Sequence, residues 1–310
     1  MEIRDWDGTT ISEPGVYRGI PLEDYHNKTM LLSGPSVSKS NLKHIAPPDG
    51  SPKRFWANWA RNPRRVGSKK SRALDFGKAV HCLFLGDEVF DDRFIVRPEK
   101  VDGEPHNKNR TVWRQWYAEQ DELGLVVVSQ DDMEQIKRMR DDAAQHELVR
   151  AGGLNGEVEL SMFARDPATG IWLKSRPDVM AADGMYVDLK TAGSLDAEFL
   201  ERQLGDMGYY LQGALTKMVC DLLGLPFISF TFLYCLTDEY ADTDFRVLSD
   251  EDIVLGEATI HYGLHHIRRG LDTGQWDGAR IYTRENIPIR ITSWTRTRIV
   301  SALKMEGFLP

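Results

Sequence analysis

Residues 157–192 read EVELSMFARDPATGIWLKSRPDVMAADGMYVDLKTA, and the reading of this stretch decides the fold. From Glu157 to Ala164 the chain alternates, with Val158, Leu160 and Met162 on one side and Glu157, Glu159, Ser161 and Phe163 on the other. That period of two predicts a half-buried strand. Asp166-Pro167 and Gly170 supply a turn, Ile171–Met180 a second strand, Ala182-Asp183-Gly184 another turn, and Met185–Leu189 a third strand. The three strands form an antiparallel meander.

Helices are expected on either side of it. Upstream, Leu74–Leu85 (LDFGKAVHCLFL) is an apolar helix that Gly86 can stop, and Ser38–Ile45 looks like a capped helix start. The chain to about Pro52 is punctuated by Pro-Gly and Pro-Pro pairs and reads as loops and short elements, and 99–110 reads as a surface loop. Leu125–Val128 suits a short strand and Asp131–Leu148 an amphipathic helix. Downstream, a long helix is expected over Leu195–Leu223, closed by Gly224 and Pro226. Phe227–Leu236 (FISFTFLYCL) is almost wholly apolar, as a strand buried on both faces requires. Asp250–Thr273 reads as helix and Ile287–Ile299 as a strand-like, arginine-bearing end. The expected class is α/β, a small mixed central sheet flanked by helices in one domain over 1–310. Its core lies at about 70–250, preceded by an N-terminal segment (1–70) and followed by a helix-and-strand extension (251–310).

The composition sets limits on function. With 41% hydrophobic and 28% charged residues the 310-residue chain is an ordinary globular sequence. It has no apolar run of about 20 residues to span a bilayer, and MEIRDWDGTT lacks the apolar centre of a secretory signal. A cytoplasmic protein is the expectation. Cys82, Cys220 and Cys235 form no close pair, which excludes a four-cysteine iron–sulfur cluster and suggests neither disulfides nor a zinc knuckle. A net charge of −8 argues against coating nucleic acid by charge alone. Locally, however, KRFWANWARNPRRVGSKKSR (Lys53–Arg72) holds eight basic residues and no acid. Arg64, Arg65, Lys69 and Lys70 could neutralise phosphates there, with Phe55, Trp56 and Trp59 either stacking on bases or belonging to the core.

The chemistry follows from strand geometry. Asp188 and Lys190 are two apart on a strand and point to one face. If the Ala182–Gly184 loop has three residues, Asp178 falls opposite Asp188 on that face. Extending the pairing through the first hairpin, with Ala164 opposite Ile171, puts Glu157 opposite Asp178 and Glu159 opposite Arg176. Carboxylates facing one another across a sheet repel, so a cation must balance them. Oxygen donors point to Mg²⁺, with Mn²⁺ as a substitute, and such an ion beside a lysine suits hydrolysis of a phosphodiester. Asp-Leu-Lys alone is a common tripeptide, usually a surface pair; Pro177-Asp178 ten residues upstream is what raises its weight. His81 is either a hydrogen-bonded core histidine or a ligand, with Gly77 one turn below leaving room. Glu159 is either a ligand, directly or through water, or the partner of Arg176. Tyr209 and Gln212 are either DNA contacts beside the site or packing residues of the helix.

Taken in order, GVYRGIPLEDYH (15–26), SVSKSNLKHI (36–45), FGKAVHCLFLGDEVFDDRFIV (76–96), NKNRTVWRQW (107–116), the 158–192 stretch and MGYYLQGA (207–214) resemble the RecE-type (exonuclease VIII) phage recombination exonucleases, a branch of the PD-(D/E)XK nuclease superfamily. The resemblance implies metal binding by His81, Asp178 and Asp188, with the Leu189 carbonyl completing the set. It implies Lys190 as catalytic lysine, and Gln212 with Tyr209 as a helix motif beside the site. It further implies digestion of double-stranded DNA from its ends, 5′-to-3′, by a toroidal homo-oligomer, leaving 3′ single strands for a RecT-type annealing protein. The alternatives are a structure-selective endonuclease or nickase of the same superfamily, and an inactive DNA-end-binding protein. Thr216, where related helices place tyrosine, and Lys78, where they place threonine or a small residue, depart from the pattern.

Overall fold

The computed structural model describes residues 2–67, 71–86, 90–181, 183–278 and 291–309. Along the chain, β1 (Ile3–Asp5), β2 (Gly15–Arg18), α1 (Leu22–Asn27), β3 (Ser36–Ser38), α2 (Lys39–Leu42) and α3 (Pro52–Asn58) make up the N-terminal part. Next come α4 (Arg72–Leu85), α5 (Phe90–Arg93), β4 (Phe94–Val96), β5 (Lys100–Val101), β6 (Glu104–Pro105), α6 (Thr111–Glu122), β7 (Val126–Val128), α7 (Gln130–Ala143) and α8 (Glu147–Arg150). The central region contains β8 (Glu157–Val158), β9 (Ser161–Arg165), β10 (Trp172–Ser175), β11 (Val179–Met180) and β12 (Met185–Ala192). The chain continues with α9 (Ala197–Asp206), α10 (Tyr210–Leu223), β13 (Ser229–Leu236), β14 (Thr243–Val247), α11 (Asp250–Thr273) and α12 (Ser293–Met305). The α/β class is as expected. No helix of the described residues is long and apolar enough to cross a membrane.

Instead of one small sheet there are two five-stranded ones, ordered β1-β2-β9-β10-β3 and β14-β13-β12-β11-β8. The N-terminal residues therefore build a sheet, beyond the loops and short elements their punctuation suggested. A single bent hairpin belongs to both sheets. Its arms pair as β9 with β10 in the first sheet (Ala164 opposite Leu173) and as β8 with β11 in the second (Val158 opposite Val179), with the register unbroken across the bend. The predicted strands 157–164 and 171–180 are thus each split in two. Pro177, which has no N–H for a ladder, marks the break on one arm. Glu159 marks it on the other, at φ 54°, a left-handed conformation uncommon for a side-chain-bearing residue.

The register of this hairpin differs from the expectation by two residues. Asp166 closes the turn more tightly than expected: its carboxylate accepts from the Thr169 N–H at 2.8 Å, and its own N–H donates to the Ile171 carbonyl at 2.9 Å. In consequence Glu159 lies opposite Asp178, its N–H donating to the Asp178 carbonyl at 3.0 Å. Glu157 moves opposite Met180 and pairs with Arg18 at 2.5 Å, away from the carboxylates it was expected to join.

Other elements follow the sequence closely. Ser71 caps α4 by accepting from the Leu74 N–H, and Gly86 ends it in the left-handed conformation (φ 64°). Helix α11 spans the expected residues, and β13 is buried along nearly its whole length, paired parallel to β12. The predicted 195–223 helix is interrupted at Gly208, whose φ of 63° no helix accommodates, so that α10 starts afresh at Tyr210. The 131–148 helix ends at Ala143, with α8 as a separate turn capped by His146. In the C-terminal extension the strand expected over 287–299 is overturned. Thr292 caps a helix by accepting from the Thr295 N–H, and Ser293–Met305 is helical; residues 287–290 of the expected strand lie outside the described residues.

Apolar packing joins the first sheet to α10 and α11, with Leu211, Ala214, Leu215 and Val219 of α10 and Ile260, Leu264 and Ile267 of α11 buried together. Two helical glycines allow the close approach. A β-carbon on Gly256 would sit 2.5 Å from the Ala214 β-carbon, and one on Gly213 would sit 2.5 Å from Leu248 Cδ2. On an exposed helix Gly→Ala stabilises by about 1 kcal/mol. Here the sign should reverse: Gly256→Ala is expected to destabilise by about 1–3 kcal/mol through overpacking, read as a lower denaturation midpoint. A raised midpoint would contradict the packing described.

Candidate active site

The bend between the two sheets is where the candidate residues gather. Continuing the β11–β12 register (Val179 opposite Val187) by one residue sets Asp178 across from Asp188, as a three-residue loop demands. Both carboxylates are buried, Asp178 at 7% and Asp188 at 2% exposure. Asp178 Oδ2 accepts the Leu189 N–H at 2.6 Å and lies 3.4 Å from His81 Nδ1, delivered by α4. Asp188 takes different partners: Oδ1 accepts from the Gln212 side-chain amide of α10, and Oδ2 forms an ion pair with Lys190. Glu159 is ion-paired with Arg176, whose guanidinium also donates to the Ile20 carbonyl at 2.8 Å.

The electrostatics follow from burial and these pairings. Burial alone would lower His81, but the charge of Asp178 and the hydrogen bond to it prevail and raise it to about 9. Burial alone would raise Asp178, yet the His81 charge and hydrogen bond hold it below the ordinary carboxylate range. Asp188 is raised by burial and then by the Asp178 charge, so of the two carboxyls it takes up a proton first. Lys190 is buried too, which disfavours its charge, but Asp188 and Asp178 outweigh this and keep it an ammonium.

Three donors are placed as a metal needs them: one atom each from His81, Glu159 and Asp178 lies within 4.8 Å of the others. One imidazole and two carboxylates form a donor set suited to a divalent cation that retains open positions. Asp188 adjoins this group. The residues present therefore fit a divalent metal ion.

Residues 38–267 match the profile of the PDDEXK-like domain of unknown function (DUF3799). The chain belongs to that family. No curated protein matches the sequence. Among solved structures, a crystal structure of a protein from Eubacterium rectale named "Putative exonuclease" superposes with a TM-score of 0.56 at 15% identity, over 90% of this chain and 98% of that one. At that identity the likeness is one of fold, and the fold shared is nuclease-like.

Within this PDDEXK-like domain the structure brings His81, Asp178, Asp188, Leu189, Lys190, Tyr209 and Gln212 into one place. Tyr209 stands immediately before the first residue of α10 and lies under the Lys190 ammonium, 4.9 Å from ring centroid to Nζ. The Gln212 amide is directed at Asp188, and Glu159 combines both readings given to it, pairing with Arg176 while standing among the metal donors. Thr216 is fully buried, and its hydroxyl bonds Ser175 and the Gln212 carbonyl, both at 2.8 Å, tying α10 to β10. Lys78 is exposed one turn before His81.

The basic stripe divides. Arg64 and Arg65 are exposed, and Arg65 reaches Asn27 of α1 at 3.2 Å. Lys69 and Lys70 lie outside the described residues. Phe55 and Trp59 are core residues, and Trp56 stacks on Trp276 with centroids 4.7 Å apart, so these aromatics are engaged with one another and with the core. One residue escapes the sequence reading altogether. Lys39, the first residue of α2, holds its ammonium 4.5 Å from the centroid of the same Tyr209 ring, and burial, then the Lys190 charge, push it down to about 7. SVSK reads only as a helix cap; nothing local to it signals a neighbour 170 positions away.

A metal ion needs neutral imidazole, whereas metal-free His81 is protonated below about 9. Binding of Mn²⁺ at neutral pH should therefore release about one proton, and affinity should rise with pH until it levels off above the His81 value. Titration calorimetry in two buffers of different ionisation heat measures the release directly. Identical heats in both buffers would remove His81 from the donor set.

Proposed function

We propose that this protein is a Mg²⁺-dependent exodeoxyribonuclease that degrades linear double-stranded DNA from its ends. The observation that carries the reading is the convergence of His81, Glu159 and Asp178 within 4.8 Å beside the buried Asp188–Lys190 pair. The family and the nuclease-like fold of the Eubacterium rectale protein support it. His81, Glu159 and Asp178 would hold the ion, with Asp188 and the Leu189 carbonyl as adjoining donors. When bound, the ion supplies Lewis-acid stabilisation of phosphate charge and lowers the pKa of water.

The chain's own groups do the rest. Lys190, fixed by Asp188 on one side and the Tyr209 ring on the other, presents an ammonium that can orient the attacking water and offset charge developing on the phosphate. The Gln212 side-chain amide donates to Asp188 and fixes the orientation of that carboxylate. The exposed Arg64 and Arg65, the latter bonded to Asn27 of α1, would neutralise backbone phosphates of the bound duplex. The resemblance to RecE-type exonucleases supports 5′-to-3′ digestion by a toroidal homo-oligomer, with the 3′ strands passed to a RecT-type annealing protein in phage recombination.

Asp188→Asn keeps the shape of the side chain and should reduce hydrolysis of end-labelled linear duplex by roughly a thousandfold, the upper end for loss of one electrostatic group. Alanine is a poorer choice, because besides the charge it removes the acceptor oxygens for Gln212 and Lys190 and leaves a cavity. Wild-type activity in the asparagine variant would refute the site. Covalently closed duplex should resist the enzyme, and its cleavage at a rate matching linear DNA would favour the endonuclease reading.

Reversing the charge of the exposed pair, Arg64→Glu with Arg65→Glu, should weaken duplex binding and reduce the salt slope by about 0.9 for each phosphate no longer neutralised. A slope that stays as in the wild type would take the stripe out of the DNA path.

A further inference from the structure

Lys39 stands out because its position is determined by the sheet and, among the described residues, it has no ion-pair partner. Strands β3 and β10 run parallel, with Ser38 opposite Lys174. Lys39 therefore leaves the end of one strand level with Ser175, the last residue of the other, from which Arg176, Pro177 and Asp178 lead on. Ligands of α/β folds collect at such carboxyl ends. The Asn41 side chain accepts from the Ser38 N–H at 3.0 Å and fixes the corner, while α2 packs on α10, which carries Gln212.

The ammonium itself lies 4.5 Å from the Tyr209 centroid, and that of Lys190 lies 4.9 Å from the same centroid. Two cations thus share one aromatic ring. Lys190 is neutralised by Asp188. Among the described residues no carboxylate is ion-paired with Lys39. Partial burial beside a like charge disfavours the ammonium form of Lys39, and an arriving anion would restore it. A ring quadrupole offsets only part of that, about 0.5–2 kcal/mol. Asp188 attracts Lys39 as well but is already paired with Lys190, so among the described residues the second ammonium on the ring has no ion-pair partner of its own.

We propose that Lys39 is a second phosphate-binding lysine of the reaction centre, its ammonium contacting a non-bridging oxygen of the DNA phosphate that lies beside Lys190. The proposal rests on the nuclease reading for the identity of the anion. Tyr209 then acts as a shared platform that keeps the two lysines on either flank of the phosphate. The competing account is a structural one, in which Lys39 merely packs its stem and charge against Tyr209.

The test compares the wild type with Lys39→Met, which keeps the apolar stem, and Lys39→Arg, which keeps the charge. Turnover is measured on linear duplex with Mg²⁺, and binding of a labelled duplex with Ca²⁺ in place of Mg²⁺ over a range of salt. The methionine variant should lose about a hundredfold in turnover, as on removal of one transition-state donor. Its salt slope should fall by about 0.9, the value for one neutralised phosphate. Arginine should recover most of both. Turnover and slope unchanged in the methionine variant would overturn the proposal in favour of packing, and arginine behaving like methionine would do the same. A wild type that binds duplex but cuts none under any divalent metal would end the nuclease reading, and the slope difference would still decide Lys39. If the wild type fails to bind duplex, both fall.

Discussion

Two carboxylates, Asp178 and Asp188, are buried side by side on neighbouring strands, and the rest of the centre exists to make that tolerable. Uncompensated, the pair would oppose formation of the sheet that carries it. The compensation comes from separate parts of the chain. The backbone of β12 donates Leu189 N–H to Asp178 and α4 brings His81, while Lys190 and Gln212 attend to Asp188. The helices are thus tied to the sheet electrostatically as well as by packing. The arrangement also separates roles. Asp178 is held anionic by the protonated His81 imidazole, while Asp188 is paired with a lysine that stays charged.

How much of this was legible in the sequence depended on whether the signal was local. The α4 and α11 helices, the buried β13 strand and the 178-to-188 register follow from periodicity, caps and a loop length, all readable within a window of a few turns. The bend of the hairpin was not readable from alternation, because an extended chain alternates in the same way when it passes from one sheet into another. Pro177 was the sole local sign. The two-residue shift of register arose from the Asp166 side chain closing its turn on the Thr169 N–H; the turn propensity of aspartate marks the place but not the loop length. The aromatic residues of the basic stripe suit stacking and core alike in sequence, and only the fold brings Trp276 to meet them.

Lys39 illustrates the harder case. Its residue type is visible, but its function depends on β3 pairing with β10, across a separation of well over a hundred residues, and on where the α9–α10 break at Gly208 leaves Tyr209. Long-range pairing of that kind is set by the fold as a whole. The Thr216 departure is intelligible on the same footing: its hydroxyl links Ser175 to α10, so the position serves the joint between sheet and helix.

The hairpin shared by the two sheets has a consequence for how the chain can be divided. In the first sheet β9 is flanked by β2 and β10, and β10 by β9 and β3. The segment matched to the family begins at residue 38, which leaves β1, β2 and nearly all of β3 outside it. Cut at that boundary, the hairpin would keep its far end in the second sheet but stand bare along both borders of its near end, inviting pairing with other chains. The sheet that carries this arm is thus completed by strands outside the matched segment. The preceding residues supply β1, β2 and most of β3, the strands that border the arm on which Asp178 is mounted.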